Sequence, residues 1–292
     1  MKWKRDWGLT GRVMLTMFLL LIVYLVFIAV LWYLGLGLNF LIVIVALMAI
    51  AQYFFSDRLV LWSTGSRIIQ EDEYPELHQM VAKLCTEADL PMPKIAIMQS
   101  PVPNAFATGR SPKHAVVACT DSIMRILTPV ELEAVLAHEL SHVKNRDVLT
   151  MTIASFMAMI AAVIMQNFLF ASLFGRRDQG AWIIAGLVAV VVWFVSQILI
   201  MALSRYREFA ADRGSAYITN NPRALMSALT KISGRMDTVP PVAKAKIEGS
   251  NAFFIIPALS GNTLLELFST HPPLEKRLAA LEKVEAEIKG YY

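Results

Sequence analysis

Hydrophobic and polar residues are segregated along the chain into four long apolar stretches and the polar segments between them. The apolar stretches contain no Asp, Glu, Lys or Arg and cover residues 13–34, 38–55, 148–174 and 181–203. Each is long enough for a helix to cross the hydrocarbon core of a bilayer, which takes about 20 residues. A tight turn joins the first two stretches, and a short polar loop joins the last two. The pattern therefore predicts a transmembrane hairpin and, after a polar segment, a second pair of hydrophobic helices.

The polar segment between the two pairs has the pattern of a small water-soluble domain. Residues 75–90 have apolar positions at helical spacing, and this helix is expected to end before Pro91. Short apolar runs between turn residues then predict a small β-sheet with strands at Lys94–Gln99, Asn104–Thr108 and Ala115–Cys119. Thr128, Pro129 and Glu131 follow in the order of a capping box, which predicts a helix from here to about Asn145.

The chain becomes polar again after the fourth apolar stretch. It starts with the helical pattern RYREFAADRGSAYI, which begins at Arg205. Residues 234–262 are rich in Gly, Pro and Ser and predict a long loop. Leucine, valine and isoleucine residues then recur at helical spacing from Leu274 to Ile288, which predicts an amphipathic C-terminal helix.

These patterns together predict an α+β membrane protein that is predominantly α-helical, with four hydrophobic helices in two pairs and one domain that contains a small β-sheet. The second helix pair divides this domain into two parts. The predicted organisation is a basic N-terminal tail at 1–12, a transmembrane hairpin at 13–55, the first part of the domain at 56–147, the second helix pair at 148–203 and the second part of the domain at 204–292.

Composition and charge exclude several other classes of protein. The chain is 56% hydrophobic and 17% charged, values that average two kinds of segment and exclude a wholly soluble, disordered or fibrous protein. Its net charge is +4, and many basic residues flank the apolar stretches: Lys2, Lys4, Arg5, Arg12, Arg58, Arg67, Lys144, Arg146, Arg205 and Arg207. This distribution follows the positive-inside rule, so it predicts a cytosolic domain and no nucleic-acid partner. Cys85 and Cys119 are isolated, which predicts reduced thiols.

The strongest chemical signal is His138-Glu139-Leu140-Ser141-His142 on the capped helix. Residues four apart lie one above the other on a helix, so the two imidazoles can reach one metal ion. Glu139 is rotated by about 100° from His138. Its carboxylate therefore lies beside the metal, where it can take a proton from a water molecule.

A catalytic zinc site takes three protein ligands, so two histidines leave it incomplete. Glu208 is the best candidate for the third ligand. Asp212 lies four residues further on the same helical face, where it can accept the free N–H of a ligating imidazole. The alternative is a solvated charge pattern in which these carboxylates pair with Arg205 or Arg207.

Four motifs together resemble the HtpX heat-shock protease family of integral-membrane zinc metallopeptidases, which is related to the CAAX prenyl endopeptidases. They are NAFATG, HELSH, EFAAD and THPPLEKR, which begin at Asn104, His138, Glu208 and Thr270. The resemblance covers nearly the whole chain and implies a gluzincin-type domain that hydrolyses peptide bonds in misfolded or damaged membrane proteins. It implies one Zn²⁺ held by His138, His142 and Glu208, with Glu139 as the catalytic base.

The same resemblance implies further site residues. Asn104, Ala105 and Phe106 match an edge strand that would hold a substrate backbone by strand addition. His271 matches a histidine that stabilises an oxyanion. Arg277 is expected to pair with Asp212, whereas Asp147 matches a family position to which no role can be assigned from the sequence. The chain has too few apolar stretches for the many-helix chamber of the prenyl endopeptidases, so prenylated substrates are not implied.

Two other functions and one other topology remain as alternatives. A transporter or channel would need ionisable residues inside its spans, and the four stretches contain none. A scaffold without catalysis would be expected to lose Glu139, which is present. Residues 148–203 span the bilayer twice or form a re-entrant hairpin. We expect a multi-pass protein of a prokaryotic inner or plasma membrane, with its active site on the cytoplasmic side, while the oligomeric state stays open.

Overall fold

The computed structural model describes residues 6–35, 39–173, 180–238 and 271–290. The helices are α1 Trp7–Tyr33, α2 Asn39–Thr64, α3 Pro75–Ala88, α4 Asp121–Ile126, α5 Pro129–Lys144, α6 Asp147–Leu173, α7 Gly180–Thr219, α8 Pro222–Thr238 and α9 Leu274–Ile288. The strands are β1 Arg67–Ile68, β2 Lys94–Met98, β3 Ala105–Thr108 and β4 Val116–Thr120. The helical majority, the hydrophobic helices and the small sheet confirm the predicted fold class.

Four hydrophobic helices, α1, α2, α6 and α7, pack into one bundle. Its interior contains Phe27 from α1, Val45 from α2, Ile160 from α6 and Ala189 from α7. Small residues at such contacts let helix backbones approach closely, which provides the packing that association inside lipid requires. Many large apolar side chains point outward instead, among them Val26, which is 56% exposed. An outward apolar surface of this kind suits a hydrocarbon solvent.

Within the described residues, three helices are long and apolar enough to cross a membrane. The fourth predicted span lies in α2, which is bent by 69° between its segments Val45–Phe55 and Asp57–Thr64. The helix thus continues beyond residue 55, the last residue of the predicted hairpin, after this bend. Asp57 and Arg58 introduce charge at this point, and a helix that carries charge leaves the hydrocarbon core.

Helix α7 differs most from expectation. The sequence predicts an apolar span to residue 203 and a separate polar helical segment after it, but the structure has one helix, Gly180–Thr219. Neither Gly nor Pro lies between the two patterns, so nothing in the sequence interrupts the helix there. A helix of this length extends about 60 Å, roughly twice the hydrocarbon thickness. Its C-terminal part therefore leaves the bundle and enters the domain.

The sheet has the strand order β1-β2-β4-β3, with β2 and β4 parallel and both outer pairs antiparallel. Strands β2, β3 and β4 correspond to the three predicted strands. Strand β1 has only two residues, too few to produce an alternating pattern, and the sequence analysis missed it. Strand β3 lies at one edge of the sheet, and α5 packs close to it.

The domain core lies between the sheet and helices α3, α5, α8, α9 and the end of α7. Its central side chains are Val81, Val135, Leu140, Leu225 and Leu281, all at most 1% exposed. Both cysteines are free and buried in this core. Burial raises the pKa of the Cys85 thiol to about 11 and that of Cys119 to about 12, so both stay protonated at neutral pH.

Two predictions concern segments that the structure describes only in part. The predicted loop at 234–262 is wrong at its start, because α8 continues to Thr238, and the rest of it lies outside the described residues. Three of the ten basic residues used to predict orientation also lie outside the described residues: Lys2, Lys4 and Arg5.

The predicted capping box is present at the start of α5. Thr128 Oγ1 accepts a hydrogen bond from the Glu131 backbone N–H, and Glu131 Oε2 accepts one from the Thr128 N–H at 2.8 Å. Glu131 also accepts hydrogen bonds from Ser227 Oγ at 2.6 Å and Lys231 Nζ at 2.8 Å. This buried carboxylate therefore joins the helix that carries the two histidines to α8.

Glu131→Gln is expected to lower the free energy of unfolding by about 2 kcal/mol at pH 7. The melting temperature of the detergent-solubilised protein should fall accordingly. Burial opposes the charge on Glu131, but Lys231 and Ser227 outweigh it and lower the pKa to about 2. The carboxylate therefore contributes stability above pH 4.5, and this contribution is lost as pH falls toward 2. Melting curves of both proteins should converge over that interval. Glu133→Gln, which removes a more exposed partner of Lys83, is the control, and an equal loss there would contradict the assignment.

Candidate metal centre

Helices α5 and α7 bring two histidines and one glutamate to a single point. His138 and His142 lie on one face of α5, and α7 crosses this face and contributes Glu208. The two imidazole Nε2 atoms are 3.2 Å apart. His142 Nε2 lies 3.4 Å from Glu208 Oε1, and His138 Nε2 lies 3.6 Å from Glu208 Oε2. Three side chains with potential ligand atoms thus converge. The sequence predicts this for the two histidines and offers Glu208 as the best candidate for the third.

The spacing of these atoms is compatible with one metal ion, such as zinc, between the three side chains. Ligand nitrogen and oxygen atoms about 2.0–2.1 Å from Zn²⁺ lie roughly 3.3 Å from one another along the edges of a tetrahedron. The two Nε2 atoms are 3.2 Å apart, and each lies 3.4–3.6 Å from a different oxygen of the Glu208 carboxylate, so these separations are of the same order. With one ligand atom taken from each residue, the three atoms lie within 4.8 Å of one another. The donor set of two imidazoles and one carboxylate is also the set found in many zinc peptidases.

The charges around the histidines favour a cation at this point. Burial opposes protonation of His142, but the carboxylates of Asp147 and Glu208 outweigh it and raise its pKa to about 10. The pKa of His138 is raised as well, because Asp212 and Glu208 outweigh the effect of burial. The carboxylates thus favour positive charge at this buried point, and a divalent metal ion would supply that charge.

A carboxylate and an arginine hold the first imidazole from behind. His138 Nδ1 lies 3.0 Å from Asp212 Oδ1. Asp212 in turn accepts two hydrogen bonds from Arg277, from Nε at 2.8 Å and from Nη2 at 2.6 Å. Arg277 thus pairs with Asp212, and Asp212 contacts the nitrogen of the His138 ring that faces away from Glu208. The ring is fixed with Nε2 free to bind a metal.

The second imidazole has an equivalent support that the sequence analysis missed. His142 Nδ1 lies 2.5 Å from Asp147 Oδ2, and Asp147 Oδ1 lies 2.9 Å from Arg207 Nε. Arg146 has a positive φ of 54°, which turns the chain so that Asp147 begins α6 beside His142. The available signal was a carboxylate at the very edge of an apolar stretch, where an ionisable residue needs a partner. Arg207 therefore pairs with Asp147. The alternative interpretation, in which Arg207 forms a solvated pair with Glu208 or Asp212, does not describe this contact.

Glu139 and His271 complete the set of titratable groups around this point. Glu139 is only 5% exposed and lines the same cavity as His138 and His142. Burial raises its pKa, against the opposing effect of the two histidines. His271 is also buried, and its Nδ1 lies 3.1 Å from Glu208 Oε2. Both side chains therefore reach the cavity that the three candidate ligands border.

The cavity is a cleft of about 340 Å³ between strand β3 and the start of α6. On the strand side it is lined by Ala105, Phe106, Ala107, Thr108 and Gly109. On the helix side it is lined by Val148, Leu149, Met151 and Thr152 of α6. The cleft thus extends from the histidines toward the hydrophobic bundle.

Asn104 differs from the other residues of the predicted edge strand. It is buried just before β3, and its backbone pairs with Thr120: the Asn104 N–H donates to Thr120 Oγ1, and its carbonyl accepts from the Thr120 N–H. It does not belong to the described residues that line the cleft. The Phe106 side chain packs into the core with Val116 and Ala118, so β3 can offer substrate only its backbone there.

The chain is similar to known proteins in sequence and in fold. A family model described as peptidase family M48 matches residues 71–285. The protein named Protease HtpX homolog 2 of Methanosarcina acetivorans is 58% identical, over 98% of this chain and 99% of its own length. The Protease HtpX homolog of Moorella thermoacetica is 55% identical over 97% of both chains. The crystal structure of S. mikatae Ste24p matches with a TM-score of 0.58 at 18% identity, covering 89% of this chain and 62% of that one, which shows a shared fold.

Proposed function

The chain belongs to the HtpX branch of peptidase family M48 and is a membrane metalloprotease, and we propose that it is a zinc-dependent endopeptidase that hydrolyses misfolded or damaged membrane proteins. The observation that carries the proposal is the convergence of His138, His142 and Glu208, whose potential ligand atoms lie within 4.8 Å of one another, with Glu139 in the same cleft. A transporter would need ionisable residues inside its spans, and the four apolar stretches contain none.

The candidate ligands would hold the metal through His138 Nε2, His142 Nε2 and the Glu208 carboxylate. Bound zinc supplies Lewis acidity and lowers the pKa of water toward about 7. Glu139 lies beside the ligands with a raised pKa, so it is suited to accept a proton from the attacking water and pass it to the leaving amine. His271 would donate a hydrogen bond to the oxyanion that develops at the substrate carbonyl.

The supporting pairs keep these groups in position. The Asp212–Arg277 pair holds the His138 ring and the Asp147–Arg207 pair holds the His142 ring, so neither imidazole has to be oriented when substrate binds. Strand β3 pairs with β4 on one side only among the described strands, and we assign its outer edge to the substrate backbone. Of the three residues expected there, Ala105 and Phe106 line the cleft, and Asn104 anchors the strand.

The position of the cleft supports membrane proteins as substrates. Its lining includes Val148 and Thr152 at the start of α6 and Ser204 of α7, where the apolar stretches meet the domain. An unfolded segment that leaves the bilayer would meet the candidate catalytic groups at once. A role in stress response follows from the same substrate class.

Metal removal tests the proposed activity. We expect the purified full-length protein to contain about one zinc per chain and to cleave casein, an unfolded model substrate. A chelator should abolish cleavage, and added zinc should restore it. Cleavage that is insensitive to chelator would refute zinc dependence, and a zinc-loaded protein without cleavage would favour a binding scaffold.

The arrangement of α6 and α7 supports a double crossing by residues 148–203. Helix α6 begins beside His142, and α7 returns to bring Glu208 within 3.4 Å of the same histidine. Helix α6 alone extends about 40 Å. The basic residues next to the domain, such as Arg58 and Lys144, favour the cytoplasmic face of a prokaryotic inner or plasma membrane for this site.

Cysteine labelling tests this orientation. Gln179→Cys is expected to react with an impermeant reagent in intact cells, and Ser250→Cys only after permeabilisation. Both positions lie outside the described residues, but they fall between α6 and α7 and between α8 and α9 respectively. Reaction of position 250 in intact cells would overturn the orientation, and protection of position 179 would favour a re-entrant hairpin.

A further inference from the structure

A second cavity, of about 610 Å³, lies between the bent helix α2 and one end of the sheet. The first segment of α2 contributes Leu47, Ile50, Ala51 and Phe54, which recur three and four residues apart and so share one helix face. Leu47, Ile50 and Phe54 are each at least 50% exposed. They belong to the apolar stretch at 38–55, so this face lies at the level of the hydrocarbon core.

The other end of the cavity is cationic. It is lined by Arg58, which follows the bend in α2, by Lys94 at the start of β2 and by Arg110 after β3. None of these three side chains forms an ion pair with a carboxylate of the described residues. Asp57 is the single carboxylate among the lining residues, and His114 is also present, so the cationic end has an excess of positive charge.

The apolar and cationic ends are directly continuous. Arg58 follows Phe54 by four residues and Ile50 by eight, which corresponds to about 6 and 12 Å along an unbent helix, and the 69° bend in α2 lies between them. The Arg110 guanidinium lies 5.4 Å from the centre of the Phe54 ring. The Tyr53 hydroxyl donates a 2.8 Å hydrogen bond to the Arg110 carbonyl, which fixes the loop against α2. Positive charge and apolar surface are thus held at a fixed separation across the membrane boundary.

We propose that this cavity binds one acidic phospholipid, with its phosphate between Arg58, Lys94 and Arg110 and an acyl chain along the face formed by Leu47, Ile50 and Phe54. A soluble anion would use the cationic end only and leave the apolar face uncovered. A protein partner would have to enter the bilayer to cover that face. A phospholipid carries a phosphate and a hydrocarbon chain at this spacing and is already present in the bilayer.

Native mass spectrometry of the full-length chain, titrated with phosphatidylglycerol, tests the site. Each basic residue near a membrane surface contributes about 1 kcal/mol to the binding of acidic lipid, which corresponds to about five-fold in affinity. The double variant Arg58→Gln/Lys94→Gln is therefore expected to bind the first lipid molecule roughly 30-fold more weakly. Lys276→Gln/Lys283→Gln on α9 removes the same charge away from the cavity and is expected to bind like the wild type. Equal melting temperatures in phosphatidylcholine establish that both variants are folded.

Three outcomes would overturn the proposal. Equal weakening by the two double variants would mean that only overall charge attracts the lipid. Equal affinity for phosphatidylcholine would mean that acidic headgroups are not selected. Glycerol phosphate binding as tightly as phosphatidylglycerol would mean that the apolar face takes no part. Selective loss in the Arg58→Gln/Lys94→Gln variant, with phosphatidylglycerol preferred over both other ligands, is the supporting result.

Discussion

Glu139→Gln is expected to slow peptide hydrolysis strongly without lowering the metal content of the protein. Glu139 follows the first histidine on α5, where its side chain reaches the cleft but does not belong to the cluster of three candidate ligands. Gln has nearly the same volume and cannot accept the proton. General-base catalysis contributes about 10²–10⁴-fold, so kcat is expected to fall by at least about 100-fold.

The same experiment separates the base from a metal ligand. His138→Ala removes a candidate ligand and should lose both zinc and cleavage, whereas Glu139→Gln should lose only cleavage. Glu133→Gln is the control on the same helix, because Glu133 lies outside the cleft and pairs with Lys83. Zinc content and casein cleavage are measured on all three variants. Near wild-type cleavage by Glu139→Gln would show that another group takes the proton.

The parts of the site that were predictable from sequence depend on local spacing. Two histidines four apart on a capped helix must share a face, and the capping box marks where that helix begins. Glu208 could be proposed because Asp212 follows it at the same helical spacing. The structure adds that α7 is continuous, so Glu208 is placed by the same rigid helix that forms part of the bundle.

The parts that could not be predicted depend on long-range packing. Asp147 has no pattern that connects it with His142, since their contact depends on the positive φ of Arg146 and on the start of α6. The exclusion of Asn104 from the cleft depends on its pairing with Thr120, which is a property of the sheet. The bend in α2 likewise needs the fold, because residues 38–64 alone indicate only where apolar sequence gives way to charge.

The order of zinc affinities among three carboxylate variants distinguishes a ligand from its supports. Glu208→Ala removes an atom that is 3.4 Å from His142 Nε2 at the proposed ion position, so we expect the largest loss of affinity, well over 100-fold. Asp212→Asn and Asp147→Asn keep the volume and remove the charge behind one imidazole each. Such supports are worth about 10–100-fold in metal affinity, and we expect each variant to fall within that range.

Competition with a chelator of known affinity measures these losses without reference to activity. Asn is preferable to Ala at position 212, because Ala would remove both acceptors of the two hydrogen bonds that the buried Arg277 donates to Asp212, at a cost of about 3–5 kcal/mol in stability. Melting temperatures should therefore be recorded for each variant. Unchanged zinc affinity in Glu208→Ala would require another carboxylate as the third ligand, with Asp147 the first to consider. Since Asp147 contacts His142 Nδ1 and not Nε2, that result would mean that the imidazole binds the metal through the opposite nitrogen.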